Sequence, residues 1–71
     1  MTTNFKTTTA KIDYTINGNK AACTHTFSAD TLNKAAYLCN TADFSKALNY
    51  AAYFICIGED DDGTIDNIAI L

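Results

Sequence analysis

Arginine is absent from the 71 residues, and so is proline. Without arginine the chain lacks the side chain best suited to bidentate recognition of phosphate. Together with a net charge of −3, this argues against a primary nucleic-acid binder. With no proline, no internal repeat and no linker-like stretch, the length fits one domain over residues 1–71. No stretch approaches the roughly 18 apolar residues of a membrane span. The start, MTTNFKTTTAKID, has no apolar run behind a basic segment, so no signal peptide is expected. Cys23, Cys39 and Cys56 form no CxxC pair, and an odd count without an export signal predicts free thiols in a reducing cytoplasm. His25 is the one histidine.

What is present is apolar: 48% of the residues are hydrophobic, enough for one small core. Such a core supplies only about 3–5 kcal/mol unless something supports it. Oligomerisation is one such support, and a homodimer would supply it. The charges are unevenly placed. All five lysines lie in the first 46 residues, against three aspartates, a net of +2. Residues 47–71 hold Glu59, Asp60, Asp61, Asp62 and Asp66 and no cation, a net of −5.

The segment from Phe5 to Ile16 reads as a strand, with Ala10, Ile12, Tyr14 and Ile16 alternating against Thr9, Lys11, Asp13 and Thr15. Asn17-Gly18 is the preferred dipeptide of a type I′ turn. A turn there pairs Ile16 with Asn19, Tyr14 with Ala21, Ile12 with Cys23, Ala10 with His25 and Thr8 with Phe27. The apolar partners then share one face. Met1 to Asn4 are expected to be loose.

Ser28-Ala29-Asp30 offers N-caps for a helical segment. Leu32, Ala35, Ala36 and Cys39 make one apolar stripe; Phe44, Leu48, Ala51 and Ile55 make a second. At about 100° per residue the stripes differ in phase by roughly 110°. Two short helices, about 29–39 and 42–52, therefore fit better than one curved helix, with Asn40 as the fresh N-cap and Asp43 three residues on.

Phe54 to Ile57 and Ile65 to Leu71 are rich in residues favoured in strands, and Asp62-Gly63 between them is a hairpin signal. Two registers are open. A two-residue turn pairs Ile57 with Ile68 and Ile55 with Ile70, at the expense of Glu59 opposite Asp66. A turn closed by a Gly63 bulge pairs Asp60 with Thr64. The expected fold is α+β: a small single-layer antiparallel sheet of two hairpins, ββ-α(α)-ββ, with the helices packed on one face.

This element order resembles that of the immunoglobulin-binding domain of streptococcal protein G. The resemblance is of order alone and carries no binding residues across.

Three kinds of chemistry have candidate residues in the chain. Setting Gly63 on the invariant glycine of an EF-hand loop puts Asp60, Asp62 and Asp66 on ligand positions, but the first position falls on Gly58 and the twelfth on Ala69. A solvated turn explains the same residues. Cys23, His25, Cys39 and Cys56 are zinc ligands by type but not by spacing; buried apolar cysteines are the simpler account. One histidine among three cysteines does not make a nucleophile–base pair, and so short a chain has little room for a pocket, so no enzyme activity is expected. No cofactor or metal is expected.

The functional expectation is a small acidic protein-binding module. Glu59, Asp60, Asp61, Asp62 and Asp66 would meet a partner protein with a basic surface; Tyr37, off the Leu32 stripe, would be exposed, and whichever of Tyr37, Tyr50 and Tyr53 is exposed suits an interface. No direct contact with nucleic acid or membrane is expected. In size and charge the chain is similar to phage-encoded inhibitors such as anti-CRISPR proteins, which implies blockade of a nucleic-acid channel in a larger complex. The alternatives are a self-assembling structural subunit and a calcium or zinc module.

Overall fold

The computed structural model describes residues 4–71. Among them the chain forms β1 (Thr8–Ile16), β2 (Asn19–Phe27), α1 (Ala29–Leu38), α2 (Phe44–Cys56) and β3 (Gly63–Ile70). The strands make one antiparallel sheet in the order β2-β1-β3. The α+β class, with one antiparallel sheet and two helices, is as expected. The second hairpin is not formed. Phe54, Ile55 and Cys56 close α2, and β3 pairs instead with the free side of β1. The likeness in element order to the protein G domain ends there, because the strand before the acidic run is helix. Of the stretch expected to be loose, Met1–Thr3 lie outside the described residues and Asn4 is exposed.

The first hairpin has the register that turn chemistry and alternation demand, from Ile16↔Asn19 through Ile12↔Cys23 to Thr8↔Phe27. Asn17 and Gly18 take φ of 51° and 82°, the double left-handed backbone of a type I′ turn. The strand begins at Thr8, later than the expected Phe5. Phe5 belongs to an arm held on α1: its N–H donates to Asn33 Oδ1 (2.9 Å), Asn33 Nδ2 donates to its carbonyl (3.3 Å), and its ring meets Phe44 edge-on at 5.2 Å.

The two helices are separate, as the stripe phases require. Ser28 caps α1, accepting from Thr31 N–H. Asn40 ends α1; it is not the cap of α2. It stands at φ 52° while Asn40 and Thr41 N–H donate back to Tyr37 and Ala36, the pattern of a helix closed by a left-handed residue. Asp43 caps α2, its Oδ1 accepting from Ser45 (2.8 Å) and Lys46 (3.4 Å) N–H. α2 begins at Phe44 and runs four residues beyond the expected end at 52. Strand propensity in Phe54-Ile55-Cys56 gives way because Leu48, Ala51 and Ala52 continue their inward stripe to the half-buried Cys56, keeping the helix on its core. Ile55, placed on that stripe by spacing, is 46% exposed instead.

β3 joins its core face through a bulge. Tyr14 pairs with Ile65 but Asp13 pairs with Asn67, so Asp66 is the extra residue. Without that insertion Ile65 and Ile68 would point to opposite faces. With it, Ile65, Ile68 and Ile70 stand beside Tyr14, Ile12 and Ala10. The core between sheet and helices holds Ile12, Phe27 and Leu32 as its largest fully buried side chains, and six alanines of α1, α2 and β1 (Ala10, Ala35, Ala36, Ala47, Ala51, Ala52). The five helical alanines give each helix a small-side-chain face toward the core. The other face of the sheet is threonine-rich and uncovered by helix. Among the described residues no polar or charged side chain is buried.

Candidate interaction surface

The acidic run leaves α2 through Ile57 and Gly58, whose N–H groups both return to the Tyr53 carbonyl (2.9 and 3.0 Å). Residues 59–62 are an exposed loop and not a strand-to-strand turn. The loop is tethered. Asn17 N–H donates to the Asp62 carbonyl (2.8 Å), and Asn17 Nδ2 donates to Asp61 Oδ1 (3.2 Å). The β1–β2 turn thus fixes where the carboxylates stand. Gly63 then enters β3 beside Ile16, so close that a Cβ there would collide with the Thr15 carbonyl and with Ile57 Cδ1 (2.9 Å).

Glu59, Asp60, Asp61 and Asp62 are therefore brought together at one end of the molecule. Asp66 is placed apart from them, in the β3 bulge on the open sheet face. Its carboxylate accepts from Thr15 Oγ1 (2.7 Å) and Thr64 Oγ1 (3.1 Å). Neither hairpin register forms, so the Glu59–Asp66 and Asp60–Thr64 pairings are absent from the β-ladder.

The surface beside the loop is apolar. Tyr53, Phe54 and Ile55 are 36%, 45% and 46% exposed, and Leu38 across the helix pair is 55% exposed. Tyr50 and Phe54 pack with ring centroids 5.2 Å apart and planes tilted by 48°, forming a ridge between two shallow grooves. One, of about 330 Å³, runs between α1 and α2 with Leu38 and Ile55 on its walls. The other, of about 490 Å³, is lined by Cys39, Lys46, Tyr53 and Glu59, so the apolar ridge reaches the acidic loop without a break. Tyr37 is 79% exposed, as its distance from the Leu32 stripe predicted; neither groove includes it. Sequence reasoning had Tyr50 and Tyr53 as interface candidates but missed Phe54, Ile55 and Leu38. The signal for Phe54 and Ile55 was the continuation of the α2 period past residue 52.

The metal-ligand candidates disperse. Cys23 and Cys56 touch, with Sγ atoms 3.5 Å apart. His25 stacks edge-on against Phe27 at 4.7 Å, and Cys39 lies in the second groove. Among the described residues no three of His, Cys, Asp or Glu gather around a common point. Burial, and then the hydrogen bond and charge of Cys23, push the Cys56 thiol up to about 12.

Comparison with known proteins finds no matching family model, no similar curated protein and no similar solved structure. Among the described residues, no helix is long and apolar enough to cross a membrane.

Proposed function

We propose that this chain is a non-enzymatic protein-binding module. Its α2 ridge and acidic loop dock a segment of a partner protein that carries an apolar anchor beside lysine or arginine. The observation that carries the reading is continuity: Glu59 lines the same groove as Tyr53 and Phe54. Fully burying a Phe or Ile stabilises by about 1.5–3 kcal/mol, and Phe54 and Ile55 leave close to half of that unrealised in the free chain. Such patches rimmed by charge mark interaction sites. The four consecutive carboxylates repel one another in the free protein and steer a basic surface toward the ridge.

The finer reading is a cytoplasmic, phage-type inhibitor of the anti-CRISPR kind, whose acidic end occupies a basic channel meant for nucleic acid. A self-assembling subunit is the second reading. It is favoured by the outer edge of β3, which ends at Ile70 with Leu71 just beyond it, 60% and 73% exposed.

The test is affinity capture from the source organism with the wild-type chain, with Phe54→Ser, and with the Asp60→Asn, Asp61→Asn, Asp62→Asn triple variant. Both changes are on exposed positions and keep the fold. One basic partner held by the wild type and lost to both variants supports the module. A partner retained by both, or a mass that rises with concentration and no partner at all, removes it.

A further inference from the structure

Cys23 lies at the middle of β2, on the face that meets the helices, and Cys56 is the last residue of α2. They are 33 residues apart in sequence, yet their sulfurs are 3.5 Å apart. Both are half-buried free thiols packed at the margin of the core. The third cysteine, Cys39, follows α1 and lines the groove beside Lys46 and Tyr53.

We propose that Cys23 and Cys56 form an oxidation site, at which a small peroxide converts the two thiols to an intramolecular disulfide joining β2 to the end of α2. The chemistry balances with hydrogen peroxide as the oxidant. One thiol sulfur attacks a peroxide oxygen; the O–O bond breaks, a sulfenic acid forms and one water leaves. The neighbouring thiol then attacks the sulfenic sulfur. The S–S bond forms, the S–O bond breaks, and the hydroxyl departs with the second thiol's proton as a second water. Two thiols give up two electrons, and the peroxide takes both.

Geometry favours this pair over any pairing with Cys39. The sulfurs need close by only about 1.5 Å to reach the roughly 2.05 Å of a disulfide. β2 is an edge strand and Cys56 stands at a helix end, so each backbone has a free side along which to move. A sulfenic acid on either sulfur meets the other thiol before solvent-borne thiols reach it. The raised Cys56 pKa leaves little thiolate there at neutral pH, which slows attack on peroxide and on glutathione disulfide alike, so the 3.5 Å approach of the two sulfurs, not thiolate content, selects this pair. The resulting staple falls between Phe54-Ile55 on one side and the acidic loop on the other. It fixes the joint between the two parts of the surface, although the oxidation itself does not depend on that surface binding anything.

The test treats the purified full chain with hydrogen peroxide at neutral pH, then alkylates it under denaturing conditions. Intact mass, peptide mapping and thermal melting are read on the wild type, Cys39→Ser and Cys56→Ser. The expected result is loss of two hydrogens, a Cys23–Cys56 linked peptide, alkylation at Cys39 alone, and a higher melting temperature that dithiothreitol reverses. Cys39→Ser gives the same link, and Cys56→Ser gives none within one chain. The proposal is overturned by full alkylation of all three cysteines, by separate sulfinic acids on Cys23 and Cys56, or by a link that uses Cys39 or a second chain. The wild-type map decides the matter even where Cys56→Ser folds poorly.

Discussion

Asn17 carries two duties that two substitutions separate. It occupies a left-handed position at φ 51°, and its side chain reaches Asp61 Oδ1 at 3.2 Å. Asn17→Ala keeps the N–H that bonds the Asp62 carbonyl but loses the local polar contacts that let asparagine tolerate a conformation costing most L-residues about 1–2 kcal/mol. It also loses an exposed hydrogen bond to a carboxylate, worth about 0.5 kcal/mol once solvent screening is allowed for. The expected destabilisation is about 1.5–2.5 kcal/mol. At about 4–8 °C per kcal/mol for a domain of this size, that lowers the melting temperature by roughly 6–20 °C. Asn17→Gly loses the same side-chain bond but relieves the backbone, so it stays within about 0.5 kcal/mol of the wild type. Thermal melts of the two variants, with amide exchange at residue 17, read both effects. Equal melting temperatures would refute the left-handed turn. Rapid exchange of the residue 17 amide in the folded wild type would refute the tether to Asp62.

Three further outcomes follow from the packing. Phe27→Ala removes the largest fully buried side chain and costs about 3–5 kcal/mol, comparable to the whole stability of so small a core, so circular dichroism shows an unfolded chain, whereas Phe27→Leu stays folded. Gly63→Ala drives a methyl into the Thr15 carbonyl, which as backbone cannot turn aside, and lowers stability in urea by about 1–3 kcal/mol. Cys56 makes stability fall at alkaline pH. Its folded pKa is raised from 9.0 to about 12, so the stabilisation is fully present below pH 9 and is lost as the pH rises toward 12, where the unfolded chain has released a proton that the folded chain keeps. Cys56→Ser shows a shallower decline over the same window, and identical slopes would contradict the assignment.

The parts of the fold legible in the sequence are those where two signals agree. At Asn17-Gly18 the turn chemistry and the period-2 alternation specify one register, and the structure has it. The phase difference between the Leu32 and Leu48 stripes separates two helices for the same reason. Phe54-Ile55-Cys56 misled because strand propensity is local, while the helix is held by Leu48, Ala51 and Ala52 a turn or two earlier. Ile65 and Ile68 are an odd interval apart, a cue to the Asp66 bulge that becomes readable only once β1 is known as the partner. The candidate surface was legible in its charge and in Tyr50 and Tyr53, whereas Tyr37 is exposed as expected but lines neither groove. The rest of its apolar half was hidden, because residues assigned to a buried strand cannot be seen as an exposed ridge. The contact between Cys23 and Cys56 depends on how the end of α2 lies over β2, which no spacing encodes.

The central claim is that the acidic loop and the α2 ridge act as one docking surface. The most direct measurement is the association rate with the captured partner across a range of salt, for the wild type and for the Asp60→Asn, Asp61→Asn, Asp62→Asn variant. Exposed charges act over about 8–10 Å at physiological ionic strength, so steering by the loop is screened as salt rises. The account predicts that the variant folds as well as or slightly better than the wild type, associates more slowly at low salt and responds weakly to salt. Association at the wild-type rate with the wild-type salt dependence would contradict it, and the loop would then be a solvated connection between α2 and β3.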